Sequence, residues 1–166
     1  KIRVLRNHGI EMQDGKMEFV EAGYNYRMTD FQAALVNNQF KRMDAGISYK
    51  QRLAEVYFDE IKSSKMKLPL VPAGKKHTWQ TFHVLLEDGI DRDKVIIKMK
   101  DAGIGTNYGA QCMPYMQYYQ QKYTLDCSLL FPNALRAYKQ GLALPLYELM
   151  FEEDVKKVSR IITQNV

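Results

Sequence analysis

The chain has 166 residues, of which 46% are hydrophobic and 26% charged, the composition of a soluble globular protein large enough to bury its own core. No run of about 18 apolar residues occurs, and charges interrupt the start of the chain, so we expect neither a membrane span nor a signal peptide. The net charge of +5 comes from basic residues interleaved with acidic ones. This pattern is typical of a solvated surface, and it disfavours nucleic-acid binding.

The cysteines and histidines are the residues that a metal site or a disulfide framework would use. Cys112 and Cys127 show no CxxC spacing, so the sequence predicts neither kind of site. His77 and His83 are close enough to share one face of a strand, but two ligands do not make a metal site, and we expect structural roles for both. Without a disulfide framework, a reducing cytoplasmic location is the default expectation.

The first segment begins with apolar and basic residues that predict the end of a helix or a strand. His8-Gly9 follows as a stop signal, with the glycine in the left-handed cap position. Because a domain rarely begins on the last turn of an element, we interpret the chain as a piece of a longer protein. Residues 10–28 predict an extended or looped connection, with Gly15 and Gly23 at its turns.

A long helix is predicted next. Thr29-Asp30-Phe31-Gln32 has the pattern of a capping box, in which the threonine and glutamine side chains bond free backbone N–H groups at a helix start. Behind it runs an apolar stripe at helical spacing, made of Ala33, Val36, Phe40, Met43, Ile47, Ala54, Tyr57 and Ile61. The stripe predicts one helix, or two nearly collinear helices broken near Gly46. Its length is unusual for a globular helix, so we expect it to pack against another domain or a partner subunit.

Shorter elements are predicted after Pro69 and Pro72. They are a strand over 78–86, a helix over 92–102 capped by Asp91 and ended by Gly103, a strand over 104–112, a short helix over 115–123, a helix from Pro132 to about Gln140, a strand over 142–146 and a final helix opened by Glu152, Glu153 and Asp154. Expected core faces are Val95, Met99 and Ala102 in one helix, and Val155, Val158 and Ile161 or Ile162 in the last. This order predicts an α+β fold, a small, mostly antiparallel sheet with helices, preceded by the long helix.

Common catalytic motifs are absent, since no GxSxG, HExxH, P-loop or GxGxxG pattern occurs. One string is specific: residues 23–34, GYNYRMTDFQAA, resemble the GxNYRMTDxQAA signature of the DegT/StrS-type sugar aminotransferases. Further segments are similar to the motifs of that family, in the same order: Leu5–Gly9 (LRNHG), Trp79–Phe82 (WQTF), Gly103–Asn107 (GIGTN), Phe131–Ala134 (FPNA) and Leu142–Tyr147 (LALPLY). The resemblance covers nearly the whole chain.

The resemblance implies the C-terminal small domain of a fold type I, aspartate-aminotransferase-like enzyme that uses pyridoxal 5'-phosphate. It implies that residues 1–28 are the tail of the large domain and an interface loop, that 29–62 form a connecting helix, and that 63–166 form the small domain. The expected partners are a nucleotide-linked sugar, an amino donor such as glutamate and a second copy in a homodimer. The lysine that carries the cofactor lies in a family segment upstream of the LRNHG turn and is absent here, so no catalytic residue and no metal ligand is assigned.

The family's GxNYR loop reaches into the active site of the partner subunit, with its asparagine near the cofactor phosphate. Asn25 matches that position, and its amide N–H₂ group can donate to a phosphate oxygen. Arg27 matches the arginine and can add a charge-assisted contact to a phosphate of the cofactor or the substrate. The alternative is that Asn25 only forms a turn and Arg27 only an ion pair.

One stretch departs from the family pattern. Many members carry histidines after the GIGT turn, near the substrate, whereas residues 107–115 read NYGAQCMPY. The resemblance therefore assigns no substrate contact to Tyr108–Tyr115. Two alternatives to the aminotransferase stay open: a non-catalytic regulatory or dimerising module of the same fold, and a sister branch that replaces the lysine by histidine and dehydrates the sugar.

Overall fold

The computed structural model describes residues 1–166, which divide into two units, Lys1–Asp44 and Ala45–Val166. The boundary between the units falls inside the long helix. The division of the chain into residues 1–28, 29–62 and 63–166 stays a prediction.

The first unit contains a short helix and a hairpin. Helix α1 spans Ile2–Leu5, and the antiparallel strands β1, Ile10–Gln13, and β2, Lys16–Phe19, pair Ile10 with Phe19. Asp14 and Gly15 make the turn with φ of 51° and 80°, the positive values that a two-residue hairpin turn requires. The hairpin lies in the segment predicted only as extended or looped. Both strands alternate apolar and polar residues, IEMQ and KMEF, so the sequence carries a strand signal here, although almost every strand residue is exposed.

Helix α2 spans Asp30–Glu60 without a break. Its start confirms the predicted capping box: the Thr29 N–H donates to Gln32 Oε1 at 3.0 Å, and the Gln32 N–H donates to Thr29 Oγ1 at 3.3 Å. Gly46 does not interrupt the helix. A Cβ at this position would lie 2.3 Å from a carboxylate oxygen of Glu148, so the glycine makes room for a neighbouring side chain.

The second unit is built on a three-stranded antiparallel sheet in the order β3 (Met66–Lys67), β4 (Phe82–Leu86), β5 (Gly141–Leu144). The helices are α3 (Arg92–Asp101), α4 (Gln117–Tyr123), α5 (Cys127–Leu130), α6 (Pro132–Gln140) and α7 (Glu152–Asn165), with a 3-10 turn at Met113–Tyr115. Alternate residues of β4 enter one core with residues of α2, α3 and α7: Phe82, Val84, Leu86, Leu53, Tyr57, Val95, Met99, Val155, Val158 and Ile162. The predicted α+β class is confirmed.

Three details of the second unit differ from the prediction. The strand predicted from residue 78 begins only at Phe82, because Trp79 has φ of 51°, outside strand geometry. The strand predicted over 104–112 is wrong: only Asn107 pairs, with Ala143, and the following chain turns onto the face of the sheet, where Gly109 lies against His83. Ala102 is exposed because it is the C-terminal cap of α3.

No helix in the structure combines the length and apolar character that crossing a bilayer requires.

Candidate functional site

In the first unit, the chain returns beside α1 just before the long helix. Asn7 and Asn25 form an antiparallel backbone bridge. On either side of it, Tyr24 N–H donates to the Leu5 carbonyl at 2.8 Å and Tyr26 N–H to the Arg6 carbonyl at 2.9 Å. These bonds hold the two asparagines side by side, although they are far apart in sequence.

Two glycines permit this close approach. A Cβ on Gly9 would lie 1.8 Å from the Glu21 carbonyl oxygen, and one on Gly23 would lie 2.1 Å from the Gly9 nitrogen. Real Cβ atoms do not come so near to backbone atoms, and Gly9 also has φ of 75°, which favours glycine. The backbone pairing of the two segments therefore depends on both glycines.

Arg27 orders the two asparagine side chains. Its Nε donates to Asn25 Oδ1 at 3.0 Å, and its Nη1 donates to Asn7 Oδ1 at 3.0 Å. Because both amide oxygens accept from the guanidinium, the N–H₂ groups of both asparagines are left to donate elsewhere. The structure thus brings the two predicted residues together and adds Asn7, which the sequence analysis did not select. Its place in the LRNHG motif was the available signal.

This cluster of Asn7, Asn25 and Arg27 presents N–H donors and one positive charge, and each amide oxygen already accepts from the guanidinium. A guanidinium flanked by amide donors suits a phosphate or a carboxylate. The capped start of α2 follows at Asp30, and the free backbone N–H groups of a helix start also favour an anion. Asn25 and Arg27 are exposed, so the cluster is open to a ligand.

In the second unit, the Tyr108–Tyr115 stretch lies against His83 of β4 and Tyr138 of α6. The His83 ring occupies a slot that only glycines permit, since a Cβ on Gly109 would lie 1.5 Å from its Cδ2 and one on Gly141 would lie 2.3 Å from its Nε2. Burial lowers the pKa of His83, which favours the neutral ring. The buried Arg92 guanidinium lies 4.0 Å from the centre of the Tyr108 ring, a cation–π contact, and donates to the Tyr138 carbonyl. These contacts hold the Tyr108–Tyr115 stretch in place.

The residue types that could hold a metal or carry a cofactor covalently are His, Cys, Asp, Glu and Lys. The structure contains no group of three or more His, Cys, Asp or Glu side chains placed to hold a metal ion. No lysine is buried, so none has the desolvated environment that activates a lysine nucleophile. His77 stacks on Trp79 at 4.1 Å between ring centres and accepts from its backbone N–H.

Both the sequence and the fold of the chain match those of known aminotransferases. The sequence profile of the DegT/DnrJ/EryC1/StrS aminotransferase family matches residues 1–163. The uncharacterized protein MJ1066 of Methanocaldococcus jannaschii is 28% identical over 99% of this chain and 47% of its own length.

Solved structures share the fold. Helicobacter pylori PseC, an aminotransferase involved in the biosynthesis of pseudoaminic acid, superposes with a TM-score of 0.88 at 19% identity, over 99% of this chain and 44% of PseC. Streptococcus pneumoniae Spr1654 in its PMP form superposes with a TM-score of 0.87 at 20% identity, over 98% of this chain and 43% of Spr1654. The predicted fold type I small-domain architecture is confirmed. The chain spans less than half the length of each of these proteins.

Proposed function

Because the chain belongs to the DegT/DnrJ/EryC1/StrS aminotransferase family, we propose that it is the C-terminal part of a pyridoxal-phosphate-dependent aminotransferase acting on a nucleotide-linked keto sugar. Glutamate is the proposed amino donor, and the cytoplasm the proposed location. The likeness to Spr1654, described as a putative sugar aminotransferase, supports the sugar substrate, and the PMP and PLP forms of Spr1654 support the cofactor.

The observation that carries this proposal is the arginine-ordered amide cluster. Pyridoxal phosphate ends in a phosphate dianion, and Asn7, Asn25 and Arg27 offer it hydrogen-bond donors and a positive charge. The donor set therefore fits the cofactor phosphate, or a phosphate of the nucleotide-linked substrate.

The residues of this chain bind and orient, whereas the cofactor, when bound, supplies the electron sink for exchange of the amino group. Arg27 fixes the Asn25 amide so that its N–H₂ group points away from the guanidinium. That order is present before the ligand arrives, so less conformational entropy is lost on binding. The cofactor-bearing lysine is proposed to lie in the rest of the enzyme, since every lysine here is at least partly exposed.

A homodimer is part of the proposal, supported by the first half of α2. Its apolar residues are exposed in the single chain: Phe31 by 74%, Leu35 by 51%, Val36 by 52%, Phe40 by 67% and Met43 by 44%. A contiguous apolar stripe of this kind marks an interaction surface. The prediction that it packs against another domain or a partner subunit is thus compatible with the single chain.

Phe40→Asp in the intact enzyme should dissociate the dimer or unfold the protein, because the interface would bury an unpaired charge. Sedimentation velocity and thermal melting measure the two effects. Asn38→Asp introduces the same charge on another side of the helix and should change neither. Unchanged sedimentation and melting of Phe40→Asp would mean that the stripe stays in solvent.

Two other functions remain candidates on specific grounds. A non-catalytic regulatory or dimerising module is favoured by the exposed lysines and by a Tyr108–Tyr115 stretch that lacks histidine. A sugar dehydratase of the sister branch would share the phosphate cluster and differ at the cofactor-bearing residue, which lies outside this chain.

The intact enzyme, given pyridoxal phosphate, glutamate and a nucleotide-linked keto sugar, should release 2-oxoglutarate and an amino sugar. The 166-residue chain alone is the matched control, and it should form no borohydride-reducible adduct with the cofactor. Release of water from the sugar without amino transfer would indicate the dehydratase, and no reaction would favour the non-catalytic module. A stoichiometric adduct at one lysine of the isolated chain would contradict the placement of the cofactor-bearing lysine.

A further inference from the structure

The two cysteines of the chain, Cys112 and Cys127, are buried free thiols of the second unit. They are 1% and 5% exposed. They are also the only buried hydrophobic residues of the structure that lie outside the main core of that unit. We propose that the two thiols form a reversible disulfide bond, which makes the pair a redox-modification site. This inference goes beyond the proposed function and does not depend on it.

Gln120 of α4 joins the two segments that carry the cysteines. Its Nε2 donates to Cys127 Sγ at 3.0 Å and to the Pro114 carbonyl oxygen at 2.6 Å. Pro114 belongs to the 3-10 turn that Cys112 caps. Burial raises the pKa of the Cys127 thiol, and the neighbouring Cys112 thiol raises it further, an effect that acts within about 4–6 Å. The two thiols are therefore neighbours, although they are far apart in sequence.

Packing alone does not account for the choice of cysteine at both positions. A free cysteine can serve as a small hydrophobic residue. Yet larger apolar side chains of the same segment stay in solvent, with Tyr118 exposed by 61%, Leu129 by 76% and Leu130 by 55%. The segment thus buries its two sulfur atoms in place of its larger apolar groups. This arrangement is expected of two thiols that react with each other.

Short elements cover the pair. Helix α4 has seven residues and α5 has four, and neither contributes a residue to the main core. Elements with few buried contacts open at low free energy, without unfolding of the rest of the chain. A small, uncharged oxidant such as hydrogen peroxide can therefore reach the thiols.

The proposed reaction uses hydrogen peroxide as the oxidant. One cysteine loses its proton, and the thiolate attacks a peroxide oxygen. The O–O bond breaks, one water leaves, and a sulfenic acid remains. The second thiol then attacks that sulfur, so that the S–S bond forms, the S–O bond breaks and a second water leaves. In total the two thiols lose two electrons and two protons, and the peroxide is reduced to two water molecules. A dithiol reductant reverses the modification by thiol–disulfide exchange.

Equilibration of the whole chain with mixtures of reduced and oxidised dithiothreitol tests the inference. Remaining thiols are alkylated, and the intact mass gives the fraction of disulfide. The equilibrium constant for the intrachain disulfide should be at least about 30-fold higher in the folded chain than in urea, the lower end of the usual stabilisation by a disulfide. Peptide mapping should place the bond between Cys112 and Cys127. An equal or lower constant in the folded chain would overturn the inference.

Hydrogen peroxide should produce the same intrachain disulfide in the folded chain, and dithiothreitol should remove it. Cys112→Ser and Cys127→Ser are the controls. Each leaves one cysteine without a partner, which should stop at the sulfenic acid that dimedone traps. Thiols of the unaltered chain that remain open to alkylation after peroxide treatment would contradict the inference. Dimedone labelling of both cysteines without a disulfide, or disulfides only between chains, would also contradict it.

Discussion

Gly141→Ala should lower the free energy of unfolding by about 3 kcal/mol, the upper part of the range for overpacked sites. The added methyl group would lie 2.2 Å from the Ala137 carbonyl oxygen and 2.3 Å from His83 Nε2. Gly141 is buried and paired with Leu85 in the sheet, so its backbone cannot move away without disturbing strand pairing. Urea unfolding of the chain measures the loss.

Gly109→Ala is the matched comparison, because the three heavy atoms nearest to its methyl group all belong to the His83 ring. It should cost about 1–3 kcal/mol, and His83→Ala in the same chain should recover most of that cost as a coupling energy. His83→Ala should recover little of the Gly141→Ala loss, because the Ala137 carbonyl remains in place. If His83→Ala recovered the same share of the stability lost in Gly109→Ala and in Gly141→Ala, the Ala137 carbonyl would not be the obstacle at Gly141.

The burial of His83 predicts that the stability of the folded chain depends on pH. Burial lowers the pKa of His83 in the folded chain, so between the two pKa values the unfolded chain binds more protons. Stability is therefore full above the unfolded histidine pKa of about 6.5 and falls as the pH drops below it. In His83→Ala this part of the acid dependence should disappear.

Elements with local signals were predictable from the sequence. The Thr29–Gln32 capping box, the Asp91 cap of α3 and the Pro132 start of α6 each depend on side chains within one turn of the helix they begin. The Asp-Gly pair at residues 14 and 15 is also a local hairpin signal, although residues 10–28 were predicted only as an extended or looped connection.

Features that depend on contacts between residues far apart in sequence could not be predicted. Asn7 contacts Arg27 because the chain folds back to pair Asn7 with Asn25, and Gly109 lies against the His83 ring instead of continuing a strand. Trp79 likewise takes a positive φ because aromatic residues from other elements hold it. None of these partners lies close enough in sequence for hydrophobic periodicity to indicate the contact.

Asn25→Ala in the intact enzyme should weaken pyridoxal phosphate binding by about 1–3 kcal/mol, because a hydrogen bond to a charged group is lost. Arg27→Ala should weaken cofactor or nucleotide-sugar binding further, because it removes the charge and also releases both asparagine amides. Raising the salt concentration should reproduce part of the Arg27→Ala effect on the exposed cluster. Titration of the apoenzyme with cofactor, followed by fluorescence, measures both.

Thr29→Ala is the control for damage to the loop. Removing this helix cap should cost about 1 kcal/mol of stability and little cofactor affinity. If Thr29→Ala weakened cofactor binding as much as Asn25→Ala, the loop would act through folding and not through contact. If neither Asn25→Ala nor Arg27→Ala changed the affinity for cofactor or nucleotide-linked sugar, these residues would have only a structural role in the turn.

Mixed dimers test the central claim most directly, because we propose that the loop with Asn25 and Arg27 serves the active site of the partner subunit. One subunit lacks the cofactor-bearing lysine, and the other carries Asn25→Ala and Arg27→Ala. If the loop crosses the interface, one site of the mixed dimer holds both defects and the other holds none. Amino-transfer activity per mixed dimer should then recover to roughly half that of the unaltered enzyme. A mixture that gives no more activity than the two parents measured separately would contradict the account.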